Sequence, residues 1–322
     1  MGFFYSQFIK SYGLPYPKGY YAGKTIVITG GNSGLGKEAA RHFVRLGASR
    51  MIITSRSLER GEEAKRDIET TTNCSPQTIQ VWPLNLSSYD SVLKFGARVV
   101  AELDRVDIFI ANAGIASGNF RLVEGHEESI TVNVISTFLL AALIMPTLKA
   151  TATKFDTRPT LSFIVSEVHG HTTFPQKFAP EGQIFATVSN KEKAEANWDD
   201  QYPVSKLLQV YAGRALADRN DLVTVNLTNP GLCHSGLSRE TDSWVFWLIR
   251  TLAARSTEVG SRTLVWAGSQ GAETHGKYLS DCEVSEPASV VTDKDGRMAQ
   301  ERVWAELVGL LEDIRPGVTA NF

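Results

Sequence analysis

Cysteine is scarce: Cys74, Cys233 and Cys282 are the only three in 322 residues, an odd and widely spaced set. That excludes a disulfide framework and offers no zinc-ligand spacing. An excess of basic charge is also missing. Lysine and arginine number 33 against 35 acidic residues, for a formal charge of −2 and a pI near 6.3. A nucleic-acid binder needs a concentrated basic surface to neutralise phosphates, so that class is excluded. Long apolar runs are absent too. The longest, Phe138–Met145 and Trp244–Ile249, fall well short of the roughly 18 residues a membrane span needs. The N-terminus, MGFFYSQFIK, lacks the basic start and apolar stretch of a secretory signal. A reducing, cytoplasmic setting is the expectation.

What is present is a large apolar fraction, 43%, enough for a sizeable core. Strand-like and helix-like segments alternate along most of the chain. The β-branched run Thr25–Thr29 ends in a glycine cluster, and Lys37–Leu46 then carries Ala39, Ala40, Phe43 and Val44 at helical spacing before Gly47. Strands follow at Met51–Thr54, Thr78–Leu84, Val106–Ala111, Leu161–Val165, Val223–Leu227 and Lys277–Leu279. Helices are expected over Leu58–Glu69, from Ser87 or Ser88 to about Leu103, near 126–149 and over 202–219. Alternation of this kind, with several strands apolar on both faces, implies an α/β fold: a doubly wound parallel sheet in one domain. Three regions stand outside the pattern: an N-terminal extension at 1–22, a polar insertion at 170–201, and a C-terminal helical tail at 286–322 with Val303, Leu307, Leu310, Leu311 and Ile314 on one face. The catalytic domain is thus placed at 23–285.

Thr29-Gly30-Gly31-Asn32-Ser33-Gly34-Leu35-Gly36 joins the first strand to the first helix. A glycine-rich turn also suits a plain tight connection. At a first βα junction it lets a dinucleotide's diphosphate approach bare backbone, with helix amides and dipole beyond. The second strand ends Ile53-Thr54-Ser55-Arg56. An acid there would read the ribose hydroxyls of NAD, whereas a base accommodates the extra phosphate of NADP. Arg56 therefore favours NADP(H), unless it is merely a solvated surface residue.

Tyr202-Pro203-Val204-Ser205-Lys206 sets a phenol and an ammonium four residues apart on one helix face. A free tyrosine titrates near 10, and a neighbouring cation stabilises its phenolate. Alone, Y-x-x-x-K is weak. In order along the chain, however, come the glycine turn, Asn112-Ala113-Gly114, Asn133, Ser166, Y-x-x-x-K and Pro230-Gly231. Over about residues 23–280 the chain resembles the short-chain dehydrogenase/reductase family. Its Ser166–His169 (SEVH) and the phrase TEVGSRTLVWA at 257–267 are similar to the retinol-dehydrogenase-like branch and to fungal reductases of secondary-metabolite pathways.

The resemblance implies a Rossmann-type fold and a ketoreductase-like chemistry, with roles for matching positions. Tyr202 would exchange the proton, Lys206 would lower its pKa and hold the nicotinamide ribose, and Ser166 would bond the substrate oxygen. Asn133 would hold a water on the way from Lys206 to solvent. Gly30, Asn32, Ser33, Gly34, Leu35 and Gly36 would cradle the diphosphate; Asn85, Leu86 and Asn112 would flank the adenosine; Leu232 and Ser235 would face the nicotinamide. A homodimer is the expected assembly, although the decorated ends stand in the way of the family's interfaces.

The chain departs from the family at Asn85, where relatives carry aspartate, at Ala111 before Asn112, at His169, where many have glycine, and in the 36 positions separating Ser166 from Tyr202. That last gap reads either as a solvated loop or as a wall of the substrate site. A flap is expected at about 236–255, where Trp244, Phe246 and Trp247 would line an apolar pocket, pack as core, or touch a membrane surface. The Met1-Gly2-x-x-x-Ser6 match to a myristoylation pattern is spoiled by bulky Phe3. His169-x-His171 has no ligand partners at convincing spacing, so no metal is expected. The function implied is NADP(H)-dependent interconversion of carbonyl and alcohol on a hydrophobic small molecule. Reduction of a conjugated C=C bond, or a vestigial NADP-binding regulatory role, are the alternatives.

Overall fold

The computed structural model describes residues 13–234 and 254–322. Eight strands form one sheet in the order β10-β9-β8-β7-β4-β1-β2-β3. The parallel members are β1 (Thr25–Ile28), β2 (Arg50–Ser55), β3 (Ile79–Pro83), β4 (Ile108–Ala111), β7 (Thr160–Ile164), β8 (Thr224–Asn229) and β9 (Tyr278–Ser280). An antiparallel edge strand, β10 (Glu283–Ser285), closes one side. A separate hairpin is made by β5 (Leu122–Val123) and β6 (His126–Glu127). The seven parallel strands match the expected ones to within a few residues. The hairpin and β10 have no precedent in the apolar pattern, because Glu283-Val284-Ser285 is short and largely exposed.

Successive side chains of a strand point to opposite faces, and each face here has its own core. Val27, Ile52 and Phe109 lie in one apolar cluster, whereas Ile26, Ile28, Met51, Ile53, Ile108 and Ile110 lie in the other. Covering the second are α1 (Gly34–Arg45), α2 (Leu58–Thr72) and α8 (Thr257–Gly268). The first is covered by α3 (Tyr89–Glu102), α4 (Glu128–Phe155) and α7 (Gln201–Ala217). Local chemistry sets the helix limits. Ser57 and Ser88 cap α2 and α3 by accepting from the Arg60 and Ser91 amides. Asn73 and Asp156 end α2 and α4 in the left-handed conformation.

Helix α4 is long and apolar enough to cross a membrane by composition alone, yet 89% of that stretch is buried in the protein. It begins on the buried carboxylate of Glu127, which accepts from the Ser129 and Ile130 amides. It then carries a π-helical turn at Thr131–Ile135, one residue wider than an α turn.

The 170–201 insertion is folded. It contains α5 (Ile184–Val188) and α6 (Lys191–Ala196), and it buries Phe174, Ile184, Phe185 and Val188. The last helices, α9 (Ser289–Thr292) and α10 (Lys294–Ile314), lie against α7. Of the expected apolar face, Val303, Leu307 and Leu311 are buried, while Leu310 and Ile314 pack at its margin. The chain end returns to α4, where Lys149 donates to the Asn321 and Phe322 carbonyls. Truncating Leu307, which is 0% exposed, leaves a cavity between α10 and the core. Leu307→Ala is expected to cost roughly 2–5 kcal/mol, read as a lower urea midpoint at unchanged slope.

Candidate active site

The turn at 29–36 sits where β1 meets α1, with β4 beside it; the chain winds outward from β1 in both directions, so this is the topological switch point. Its glycines have different tasks. A Cβ on Gly31 would lie 2.7 Å from the Ile53 side chain, and one on Gly36 would lie 2.6 Å from both Asn112 Nδ2 and the Gly30 carbonyl. These two permit close packing. Gly34 has φ +56 and nothing within 4 Å of a Cβ position, so it supplies the left-handed bend and leaves open space above it. The turn is pinned from both neighbouring strands. Thr54 accepts from the Gly30 amide through Oγ1 (3.1 Å) and from the Gly31 amide through its carbonyl (3.1 Å). Asn112 Nδ2 donates to the Thr29 carbonyl at 2.8 Å, and Thr29 Oγ1 accepts from the Ala113 amide at 2.9 Å.

Helix α1 makes its first i to i−4 bond from the Lys37 amide to the Ser33 carbonyl. The amides of Gly34, Leu35 and Gly36 precede it and have no intrahelical acceptor. Ser33 is the N-cap by position, yet its hydroxyl makes no capping bond. An open glycine, unpaired amides and a helix dipole fit a diphosphate. At the end of β2, the Arg56 side chain is exposed. Asn85 Oδ1 accepts from the Ser87 amide at 3.1 Å, and the Asn85 amide donates to Ser91 Oγ at 2.9 Å. Leu86 is buried beside it.

Across the switch point, Ser166 follows β7 and Tyr202 opens α7. The Ser166 hydroxyl lies beside the Tyr202 phenol, where it favours the phenol's ionised form. Lys206, one turn further along α7, places Nζ 5.7 Å from the Tyr202 ring centroid. Its ammonium donates to the Ile164 carbonyl (2.9 Å) and to Gln209 Oε1 (2.8 Å), which leaves one of three donors uncommitted. Asn133 sits inside the π turn of α4. It bonds Ile115 both ways, accepting from the amide at 2.9 Å and donating to the carbonyl at 2.8 Å, and it donates to Ser205 Oγ at 3.0 Å. Asn133 thereby ties α7 to the loop after β4, where a Cβ on Gly114 would approach both Asn133 Oδ1 and Lys206 Nζ.

A family profile described as short chain dehydrogenase matches residues 24–154. The short chain dehydrogenase/reductase dmxR8 of Cryptosporiopsis sp. is 62% identical over 326 residues, covering 100% of both chains. The chain belongs to the short-chain dehydrogenase/reductase family. A second relative, the short-chain dehydrogenase anuD of Penicillium roqueforti, is 38% identical over 99% of this chain and 84% of its own. Among solved structures, the short chain dehydrogenase from Shigella flexneri superposes with a TM-score of 0.60 at 19% identity, over 85% of this chain and 99% of that one. The Pseudomonas aeruginosa RhlG/NADP active-site complex gives 0.62 at 22%, over 83% and 97%. These two show the same fold.

In this short-chain dehydrogenase/reductase, burial governs the charge state of the two titrating groups. It pushes the Tyr202 phenol up, against the smaller opposing effect of its Ser166 bond. It pulls the Lys206 ammonium down to about 7. Both shifts disfavour the charged form. Cys233 is buried, and burial raises its thiol to about 12, so it is no nucleophile at neutral pH.

Of the residues picked from sequence, Gly30, Asn32, Ser33, Gly34, Leu35, Gly36 and Asn112 gather at the turn, and Ser166, Tyr202, Lys206 and Asn133 gather beside it. Leu232 lies past Pro230-Gly231, where its carbonyl accepts from the Arg255 amide. Ser235 and Trp244–Trp247 lie outside the described residues. Among the described residues, no group of three His, Cys, Asp or Glu is placed to hold a metal. Three contributors were missed: Thr54 under the turn, Gln209 on the lysine, and Asn229. Asn229 Oδ1 accepts from the Glu167 and Gly231 amides and so joins the Ser166 turn to the Pro-Gly turn. Only Gln209 had a sequence signal, its i+3 spacing from Lys206.

Lys206 titrates lower folded than unfolded, so the folded state gains stability as pH rises from about 7 towards 10.5. Below 7 the full penalty of a buried ammonium is present. Lys206→Met removes it. The Tm advantage of the variant over wild type is expected to be largest and flat below pH 7, and to shrink between pH 7 and 10. Thermal melts of both proteins across that range check it.

Proposed function

We propose that the chain is an NADP(H)-dependent oxidoreductase that interconverts a carbonyl and an alcohol on a hydrophobic small metabolite in a secondary-metabolite pathway. The observation that carries this reading is the meeting of the Ser166 hydroxyl and Tyr202 phenol above Lys206, next to an open glycine turn with free helix amides. The turn would hold the diphosphate, Arg56 the 2′-phosphate, and the uncommitted Lys206 donor a ribose hydroxyl. The names and fungal sources of the similar dehydrogenases, and the NADP complex of the structural neighbour, support the same assignment. The three unpaired thiols fit a reducing, cytoplasmic setting.

A bound nicotinamide supplies the hydride. Everything else falls to side chains. Ser166 donates to the substrate oxygen and fixes it beside Tyr202. As the C=O bond becomes C–O⁻, the phenol proton moves to that oxygen, leaving a phenolate that Lys206 stabilises. Reprotonation then draws on the lysine, whose pKa near 7 lets it give and take a proton at physiological pH. A phenol that burial keeps protonated is already in the form that carbonyl reduction needs.

Tyr202→Phe is expected to lower kcat by roughly 10²–10⁴-fold with NADPH affinity little changed. A panel of cyclic and polyketide-like ketones, followed by NADPH absorbance, checks the first, and fluorescence titration checks the second. A phosphate contact from an arginine is worth about 1.5–3 kcal/mol, so Arg56→Ala is expected to raise KM for NADPH by roughly 10–100-fold and to leave that for NADH unchanged. Equal use of both cofactors by the wild type would overturn the NADP assignment.

A further inference from the structure

The turn Glu167–Gly170 after Ser166 is a short 3₁₀ helix for which Ser166 is the N-cap. Two of its residues reach the C-terminal segment. His169 is 2% exposed, and its ring engages both nitrogens. Nδ1 lies 2.6 Å from the Ser166 carbonyl, and Nε2 lies 3.0 Å from the Ala288 amide. The amide can only donate, so Nε2 accepts. A carbonyl can only accept, so Nδ1 carries the proton. The tautomer is thus set by two backbone groups. Independently, a Cβ on Gly170 would lie 2.7 Å from the Ala288 Cβ, so the turn and Ala288 are in tight contact. The imidazole also packs on the Tyr278 ring of β9, with centroids 5.1 Å apart.

We propose that His169 is a positioning residue: it fastens the Ser166 carbonyl to Ala288 and thereby holds the Ser166 hydroxyl at the Tyr202 phenol. The Ser166 carbonyl receives two donors from one residue, the His169 amide at 3.2 Å and Nδ1 at 2.6 Å. With its carbonyl fixed from below, and its hydroxyl accepting from the Val168 amide at 3.4 Å, Ser166 has little freedom to swing from the substrate oxygen. The contacts of His169 are with the Ser166 carbonyl, the Ala288 amide and the Tyr278 ring, so it acts through Ser166. Glycine at this position would leave the carbonyl with its backbone donor alone and would sever the tie to the tail.

The inference rests on the carbonyl-reducing reading above, and the test separates the two. Three full-length variants are compared with wild type in NADPH oxidation, with phenanthrenequinone and the ketone panel as substrates. His169→Phe keeps the ring and loses both bonds. His169→Asn can still donate to the Ser166 carbonyl, and His169→Gln can still accept from Ala288. Misplacement of a reacting group by a fraction of an ångström to an ångström costs up to about 10²-fold. The expected result is a kcat roughly 10–100-fold lower for His169→Phe, with KM and Kd for NADPH within about twofold of wild type. His169→Asn should recover most of that loss and His169→Gln little of it. A kcat for His169→Phe within about twofold of wild type, or equal kcat for the Asn and Gln variants, overturns the proposal. If His169→Phe does not fold, the Asn and Gln pair decides.

Nitrogen-15 spectra of histidine-labelled wild type provide an arm that needs no turnover. A protonated Nδ1 and bare Nε2 at His169 support the bridge, and the opposite tautomer refutes it. Wild type inert towards every ketone would count against the proposed activity, while the spectra would still judge the bridge.

Discussion

Lys206 is only 5% exposed, so its amine has to be satisfied largely by protein groups, and much of the site's construction follows from that requirement. The end of β7 supplies a carbonyl and α7 supplies Gln209. The strand end and α7 are thereby held at one separation. The same low-polarity setting keeps the neighbouring phenol protonated and brings the amine into the physiological range. Charge appearing on the phenol during reaction would then meet a nearby amine able to carry a proton, in surroundings where electrostatic interactions are strong. The cost of burying Lys206 in the resting protein is the counterpart of that response.

How much of this could be read from the residues depends on whether the signal was local. The glycine turn and the phenol–amine pair were legible because their chemistry needs fixed residue types at fixed spacing along one element. The seven parallel strands were legible as short β-branched or apolar runs alternating with helical segments, several of them apolar on both faces. What escaped depends on contacts distant in the chain. The π turn that carries Asn133 has no compositional mark. Asn229 and Thr54 act on segments more than twenty residues away. The β5–β6 hairpin is two residues per strand, too short for alternation to show.

The insertion shows why a polar stretch can mislead. Its charge suggests solvent, yet Arg302 of α10 donates to the Lys177, Ala179 and Pro180 carbonyls, and Glu306 accepts from the Ile184 and Phe185 amides. Two residues that look like the solvated face of an amphipathic helix are the fastening of a neighbouring segment. Gln201 adds a bond to the Val188 carbonyl, and Thr172 donates to Asp200. The long path from Ser166 to Tyr202 is therefore folded back on itself, so that its two ends meet.

The C-terminal helices lie against α7, which bears Tyr202 and Lys206, and the Tyr211 hydroxyl of α7 donates to the Val290 carbonyl. The bed of α7 is completed by residues 289–322, which pack on it and return to α4. The glycine turn and the Tyr202–Lys206 helix therefore depend on different parts of the chain: loss of 286–322 would leave the turn's own strand contacts in place but remove the support beneath α7.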